Sequence, residues 1–301
     1  MLMSNPLNEQ LSHALEQLLK QYHLSPAAEK LLPQSRSTVK LSAIEPDLYE
    51  KVGNSRVGGY PDLPPAMEWP TEASGKLMTP LAQLNLAEIA PACRQGWLPE
   101  TGMLYFFCGM DEGAANIEHR IIFVQYPEQL AFRHPGAATI LEDIYETSFH
   151  PYKAAAVSAV ELPNMAYVDY EVIDFEEGST DRYFELVAEM QGDRITNWGT
   201  MFGYPTGQHH DAEEEAALFI LADKTTEYDS EKVMKHLMDK LGRSRERAEA
   251  EIEDMIMLLE IDSNEQVGYQ WLDAGVIHFF IRKEDLLARN FSRTYCSLSS
   301  S

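Results

Sequence analysis

The apolar positions near the start of the chain repeat with a helical period, and that period then breaks down. Leu11, Leu15, Leu18 and Leu19 recur at three- and four-residue steps, with Glu9, Gln10, Glu16 and Lys20 between them. This is the spacing of a helix with one buried stripe. Ser25-Pro26 reads as an N-cap followed by proline at the first helical position, and Pro33 ends this second, shorter helix. The pattern predicts a helical N-terminal segment over residues 1–45 that packs on a main body, because about 30 residues alone bury too little surface to fold independently.

From Gly53 to Pro70 no period survives. Gly58, Gly59, Pro61, Pro64, Pro65 and Pro70 crowd this stretch, and proline can neither continue a helix nor donate to a sheet ladder, so a shaped, extended loop is expected. Strands are predicted over residues 81–86, 102–108, 121–126 and 166–175. The second of these, Gly102-Met103-Leu104-Tyr105-Phe106-Phe107-Cys108, is apolar throughout and bounded like a buried strand. Farther on, Val233, Leu237 and Met238 share one side of a helix over residues 229–241 that Gly242 closes. Ser244 caps a following helix, predicted to run to residue 255, whose Arg245, Glu246, Arg247, Glu249, Glu251 and Glu253 form a solvated face.

One ordered set of elements occurs twice. Gly59-Tyr60-Pro61, Leu81-Ala82-Gln83-Leu84-Asn85 and Gly102 to Phe107 are followed by Gly203-Tyr204-Pro205, Leu258-Leu259-Glu260-Ile261-Asp262 and Gly275-Val276-Ile277-His278-Phe279-Phe280. The expectation is an α+β fold of two related β-rich units, about 50–160 and 165–301, within one domain over residues 46–301. The units would sit about a pseudo-twofold axis with a cleft between them, and the helices between 229 and 255 would be an insertion in the second unit.

The run Ser55 to Pro64, with Glu68-Trp69-Pro70, Pro80 to Asn85 and the strand from Gly102, resembles the YwqG-like family. Phe202 to Pro205 and the C-terminal run Asp273 to Ile281, continued by Arg282 to Leu286 and Asn290-Phe291-Ser292, extend the likeness. The resemblance implies a bacterial, cytosolic α+β protein without an established activity, some of whose relatives act as immunity proteins in toxin systems. The chain departs from the family after Pro205, where Thr206-Gly207-Gln208-His209-His210-Asp211 replaces a longer link.

Charge narrows the partners. The 301 residues carry 24 basic against 48 acidic side chains, a net charge of −24. Such a surface repels phosphate backbones and anionic membranes, so neither nucleic acid nor membrane is an expected partner; a basic protein is the better match, and plain solubility is the alternative reading. Cys93, Cys108 and Cys296 form no Cys-x-x-Cys pair. With no basic-then-apolar leader and no apolar run near the roughly 20 residues of a membrane span, a reducing, cytoplasmic setting is expected.

The sequence lacks a Gly-x-Ser-x-Gly elbow, a phosphate-cradling Gly-Lys-Ser loop and a His-Glu-x-x-His pair, so no catalytic residue or cofactor is assigned. His209, His210 and Asp211 are the weak metal candidates, with an exposed loop as the plainer reading. The candidate ligand-binding residues are Arg56, Gln83, Asn85, Asp262 and Asp273, with Trp69 and Trp271 as aromatic walls. Arginine clamps carboxylates and phosphates bidentately and amides orient by paired hydrogen bonds, while the same groups equally serve buried backbone. Two functions follow: a non-enzymatic binding protein, immunity-type toward a basic toxin, or a small-molecule-binding or hydrolytic protein in which Arg56, Gln83 and Asp262 converge in the inter-unit cleft.

Overall fold

The computed structural model describes residues 6–109, 116–135, 153–165, 179–192, 196–206, 212–224 and 229–299. In chain order these form α1 (Glu9–Gln21), α2 (Ala28–Leu31), β1 (Arg36–Pro46), β2 (Arg56–Val57), β3 (Asp62–Leu63), β4 (Thr79–Asn85), α3 (Leu86–Ile89), β5 (Met103–Cys108), β6 (His119–Val124) and β7 (Ala131–Phe132). The second half adds β8 (Ala155–Asn164), α4 (Ser179–Gln191), β9 (Asn197–Met201), α5 (Ala212–Ala222), α6 (Ser230–Lys240), α7 (Arg245–Glu253), β10 (Met255–Asp262), β11 (Val276–Arg282), α8 (Lys283–Leu287) and β12 (Thr294–Ser299). The fold is α+β. Among the described residues no helix is long and apolar enough to cross a membrane.

Ten strands make one antiparallel sheet in the order β12-β11-β10-β9-β1-β8-β2-β4-β5-β6, and β3 pairs with β7 beside it. The middle is β1 against β8, in register from Arg36 opposite Asn164 to Pro46 opposite Ala155. Residues 36–45, expected to belong to the N-terminal helical segment, lie instead in β1 at the centre of the sheet. Val39, Leu41 and Ala43 alternate inward there, a period of two that a short window around the preceding helices hides. The sheet also runs unbroken through the middle, so ladder hydrogen bonds stand where a cleft between two units was expected.

The two edges of the strand order come together. Just before β6, the Ile117 N–H donates to the Cys296 carbonyl of β12 at 2.9 Å, and His119 and Thr294 bond through Nε2 and Oγ1 at 2.7 Å. The curled sheet encloses a core with Val39, Leu41, Leu84, Phe106, Trp198, Leu259 and Phe279 in it; Phe106 and Phe279 meet edge to face with centroids 5.3 Å apart. Each such side chain removed from water stabilises the fold by roughly 1.5–3 kcal/mol.

Outside the sheet, α5, α6 and α7 stand between β9 and β10 and cover Met255, Met257, Phe280 and Tyr295. Asp229 and Ser244 cap α6 and α7 as their sequence positions predict. The second helix stops at Glu253 rather than 255, because Met255-Ile256-Met257 is buried on both sides and enters β10. The expected strand over 166–175 lies outside the described residues.

All three cysteines are free and buried. Burial pushes the Cys93 thiol up to about 11, and burial followed by the neighbouring Cys108 thiol holds Cys296 well above its ordinary value. Only the thiolate reacts. Native protein should therefore resist iodoacetamide at mildly alkaline pH and take up three equivalents once denatured; rapid native labelling of Cys296 would show that the seam between β6 and β12 opens.

Candidate functional site

The loop from Asp47 to Leu63 contains one buried arginine whose five N–H groups are all used inside the protein. Arg56 lies in β2, opposite Gln83 of β4 on one side and Ala156 of β8 on the other, and is 1% exposed. Its Nε–H donates to Asp47 Oδ2 at 2.6 Å. Nη1 donates to Asp62 Oδ2 at 3.2 Å and to the Tyr60 carbonyl at 3.0 Å, and Nη2 to the Asn54 amide oxygen at 3.2 Å and the Lys51 carbonyl at 3.5 Å. A charge this far from water needs such company, since leaving it unpaired costs several kcal/mol.

Neighbouring groups close the network. Gln83 Nε2 donates to Asp62 Oδ2 at 3.0 Å and to the Asn54 carbonyl at 2.7 Å, while its Oε1 accepts the Asp62 N–H at 2.7 Å. Asp62 Oδ2 also accepts the Gly53 N–H at 2.9 Å, and the Tyr105 hydroxyl donates to the Asp62 carbonyl at 2.7 Å. For Asp47, burial acts to raise the carboxyl pKa. Hydrogen bonds from Arg56, from Asn54 and from the Tyr49 N–H together outweigh it and hold the group below its ordinary 3.8.

This network seats a row of rings. Tyr49 takes a left-handed φ of 62°, unusual for a side-chain-bearing residue, and lies with its ring 4.5 Å from the Arg56 guanidinium. Its hydroxyl accepts the Tyr60 N–H at 3.1 Å. The glycine at 59, φ +63°, is required there because a Cβ would strike that hydroxyl and Ala154. Gly58 faces the other way: its N–H donates to Leu81 O at 2.8 Å and to the Tyr269 hydroxyl at 3.1 Å, and a Cβ would strike the Lys153 carbonyl and Val267. Phe132, brought in by the β3–β7 pair, meets Tyr49 at 5.0 Å and Tyr60 at 5.7 Å, both edge to face, and Tyr60 meets His134 at 4.6 Å.

A second polar cluster lies on β10 and β11. Glu260 accepts the Thr206 N–H through Oε2 at 2.7 Å, bonds His278 Nε2 at 2.9 Å and accepts from the Thr200 hydroxyl at 3.3 Å. Glu260 and His278 are each 2% exposed as side chains. Gln83 and Glu260 thus do the same thing: each accepts the N–H of the residue that follows a Gly-Tyr-Pro turn.

The structure brings Arg56 and Gln83 together, with their hydrogen-bonding groups turned on the protein rather than outward. Asn85 is close by; its oxygen caps α3 through the Ala87 N–H at 3.0 Å and its amide donates to Gly53 O at 2.7 Å. Asp262 does not join them, because β10 stands four places from β2 in the sheet. Asp273 is exposed in the turn before β11. Trp69 donates its N–H to Met78 O at 2.9 Å and packs on Phe107, whereas Trp271 stacks on Tyr269 at 5.0 Å in the main core, so the two indoles are held in different cores. His209, His210 and Asp211 fall outside the described residues, among which no His, Cys, Asp or Glu cluster suits a metal ion. Sequence reading assigned no site role to Asp47, Tyr49, Tyr60, Asp62, Phe132 or His134. Two of them carried a signal: Tyr60 as the centre of a Gly-Tyr-Pro turn and Asp62 as the acidic residue directly after it.

Replacing Arg56 with Met leaves Asp47 and Asp62 buried without their counter-charge. It should lower stability by about 3–5 kcal/mol in denaturant melts. Asp47 has a depressed folded-state pKa, so its contribution is present above its ordinary 3.8 and is lost as pH falls through the folded value. Asp47→Asn should accordingly flatten the acid limb of the stability profile below about pH 4; an unchanged limb would remove Asp47 from the account.

No curated protein matches the chain. One family model does, across residues 55–299, from the serine before Arg56 to the last residue of β12: by that match the chain belongs to the family described as Domain of unknown function (DUF1963).

Proposed function

We propose that this protein binds a basic protein partner and acts by occupying it rather than by catalysing a reaction. The observation that carries the reading is the net charge of −24. A surface of that sign steers cationic proteins toward it and discourages anionic ones. Arg56 and Gln83, the groups most suited to holding a small ligand, spend their hydrogen bonds on the loop 47–63, which favours a structural part for them. An immunity-type role, with a basic toxin as the partner in a cytoplasmic setting, is the specific form of this reading, suggested by the likeness to the YwqG-like family.

The reading includes an internal duplication. Its support is a strand order that reads alike from both edges, with β1 pairing β9 and β8 pairing β2. The bulges fall at matching places, between Pro80 and Ala82 opposite Phe107 and Phe106, and between Met257 and Leu259 opposite Phe280 and Phe279. The paired Asp62–Gln83 and Thr206–Glu260 bonds add to it.

The immobilised protein, exposed to extract of its native host at low salt, should retain a basic protein that raised salt releases. The pair should re-form from purified components with an affinity that falls as salt rises. Recovery of no protein, or of one whose binding ignores salt, contradicts the proposal.

A further inference from the structure

The loop network ends in an apolar surface that is exposed among the described residues. Leu48 is 75% exposed, Val52 54% and Phe132 45%. Leu48 is next in sequence to Tyr49, whose ring touches Phe132, and Val52 is next to Gly53, which faces Leu130 beside β7. Tyr60 and the exposed His134 continue the row of rings. Leu48 and Val52, exposed on a loop that is welded from beneath, and Phe132, held by the β3–β7 pair, differ from scattered surface leucines, because neither support lets them turn inward.

We infer that this surface, Leu48, Val52, Tyr49, Phe132, Tyr60 and His134, is where the partner docks, and that it receives a protein segment bearing arginine or lysine beside apolar side chains. The inference rests on the partner-binding reading and gives it a location. Charge selects the occupant. A second copy of this chain brings another −24, and nucleic acid and anionic membranes are repelled in the same way. Aromatic faces attract guanidinium and ammonium groups, arginine most often. The neighbouring exposed Glu45 and Glu50 add attraction at the rim. Two cations of this region are already engaged, Lys51 with Glu88 at 2.8 Å and Arg133 with the Pro64 and Pro65 carbonyls at 3.4 and 3.3 Å. Buried aromatic and apolar anchors within a charged rim are the arrangement in which a few residues supply most binding energy.

The test is fluorescence anisotropy with a labelled synthetic peptide of interspersed arginine and leucine, against a peptide with glutamate in place of arginine. The arginine peptide should bind the wild-type protein, and the glutamate peptide should not. The triple variant Leu48→Ser, Val52→Ser, Phe132→Ser should bind the arginine peptide about tenfold more weakly. It keeps the net charge. Leu48→Ser alone alters only a side chain in solvent, so it folds and should still lose about threefold even if the triple variant is unstable. Arginine-peptide binding that all the serine variants retain within a factor of about 1.5, or that Glu246→Gln with Glu249→Gln on α7 weakens instead, overturns this location and leaves the partner-binding reading standing. No binding of the arginine peptide to wild type at low salt overturns the inference, whereas the partner-binding reading falls only if host extract yields no protein that salt releases.

Discussion

Removing a guanidinium from water is tolerable only where carboxylates and carbonyls replace the water, and Arg56 imposes that demand on the whole first half of the molecule. Asp47 must come back from the end of β1, Asp62 must follow the glycine turn closely, and Gln83 must sit across from β2 to hold Asp62 by its backbone and its carboxylate. Once those groups are in place, a proline-rich loop with little regular structure has one conformation. Such networks cost stability relative to an apolar core of the same shape, and they specify geometry in return. The two adjacent glycines follow from the same demand. One lets the backbone reach the Tyr49 hydroxyl, and the other lets the loop press against Lys153 and Val267 of the later chain.

The parts of the fold that were legible in the sequence are those whose burial is one-sided or complete. The leucine stripe of α1, the aromatic run of β5 and the apolar start of β11 each carry a period or a run that admits one element. The central pair was illegible for a physical reason. In β8, Ala155-Ala156-Val157-Ser158-Ala159-Val160 is mostly half-buried, so neither alternation nor a continuous apolar run stands out, and what fixes the strand is its ladder with β1. The expected cleft failed with it, because the middle of the sheet is closed by the hydrogen-bond ladder between β1 and β8.

The candidate site divides along the same line. Gln83 and Asn85 were recognisable as polar residues placed where a strand ends, and Arg56 as an arginine in the glycine-rich loop; the structure groups them. Their purpose was not recognisable, because a side chain that binds a ligand and one that binds a loop have the same donors at the same spacing. The rings were hidden further. Tyr49 and Phe132 are far apart in sequence and meet only because Arg56 turns one loop and β3 captures β7. Glu260 with His278, which in isolation resembles an acid–base pair, gains a plainer explanation from Gln83: both carriers hold the residue after a Gly-Tyr-Pro turn.

The account stands or falls on the loop 47–63 being welded rather than open. Amide hydrogen exchange reads this directly, because the N–H groups of Gly53, Ser55, Tyr60 and Asp62 each donate to a side chain and not to a regular ladder. The account predicts that these four exchange as slowly as the amides of β5, and that Arg56→Met frees them while β11 stays protected. Exchange of the four at the rate of an open loop in the unaltered protein would contradict it.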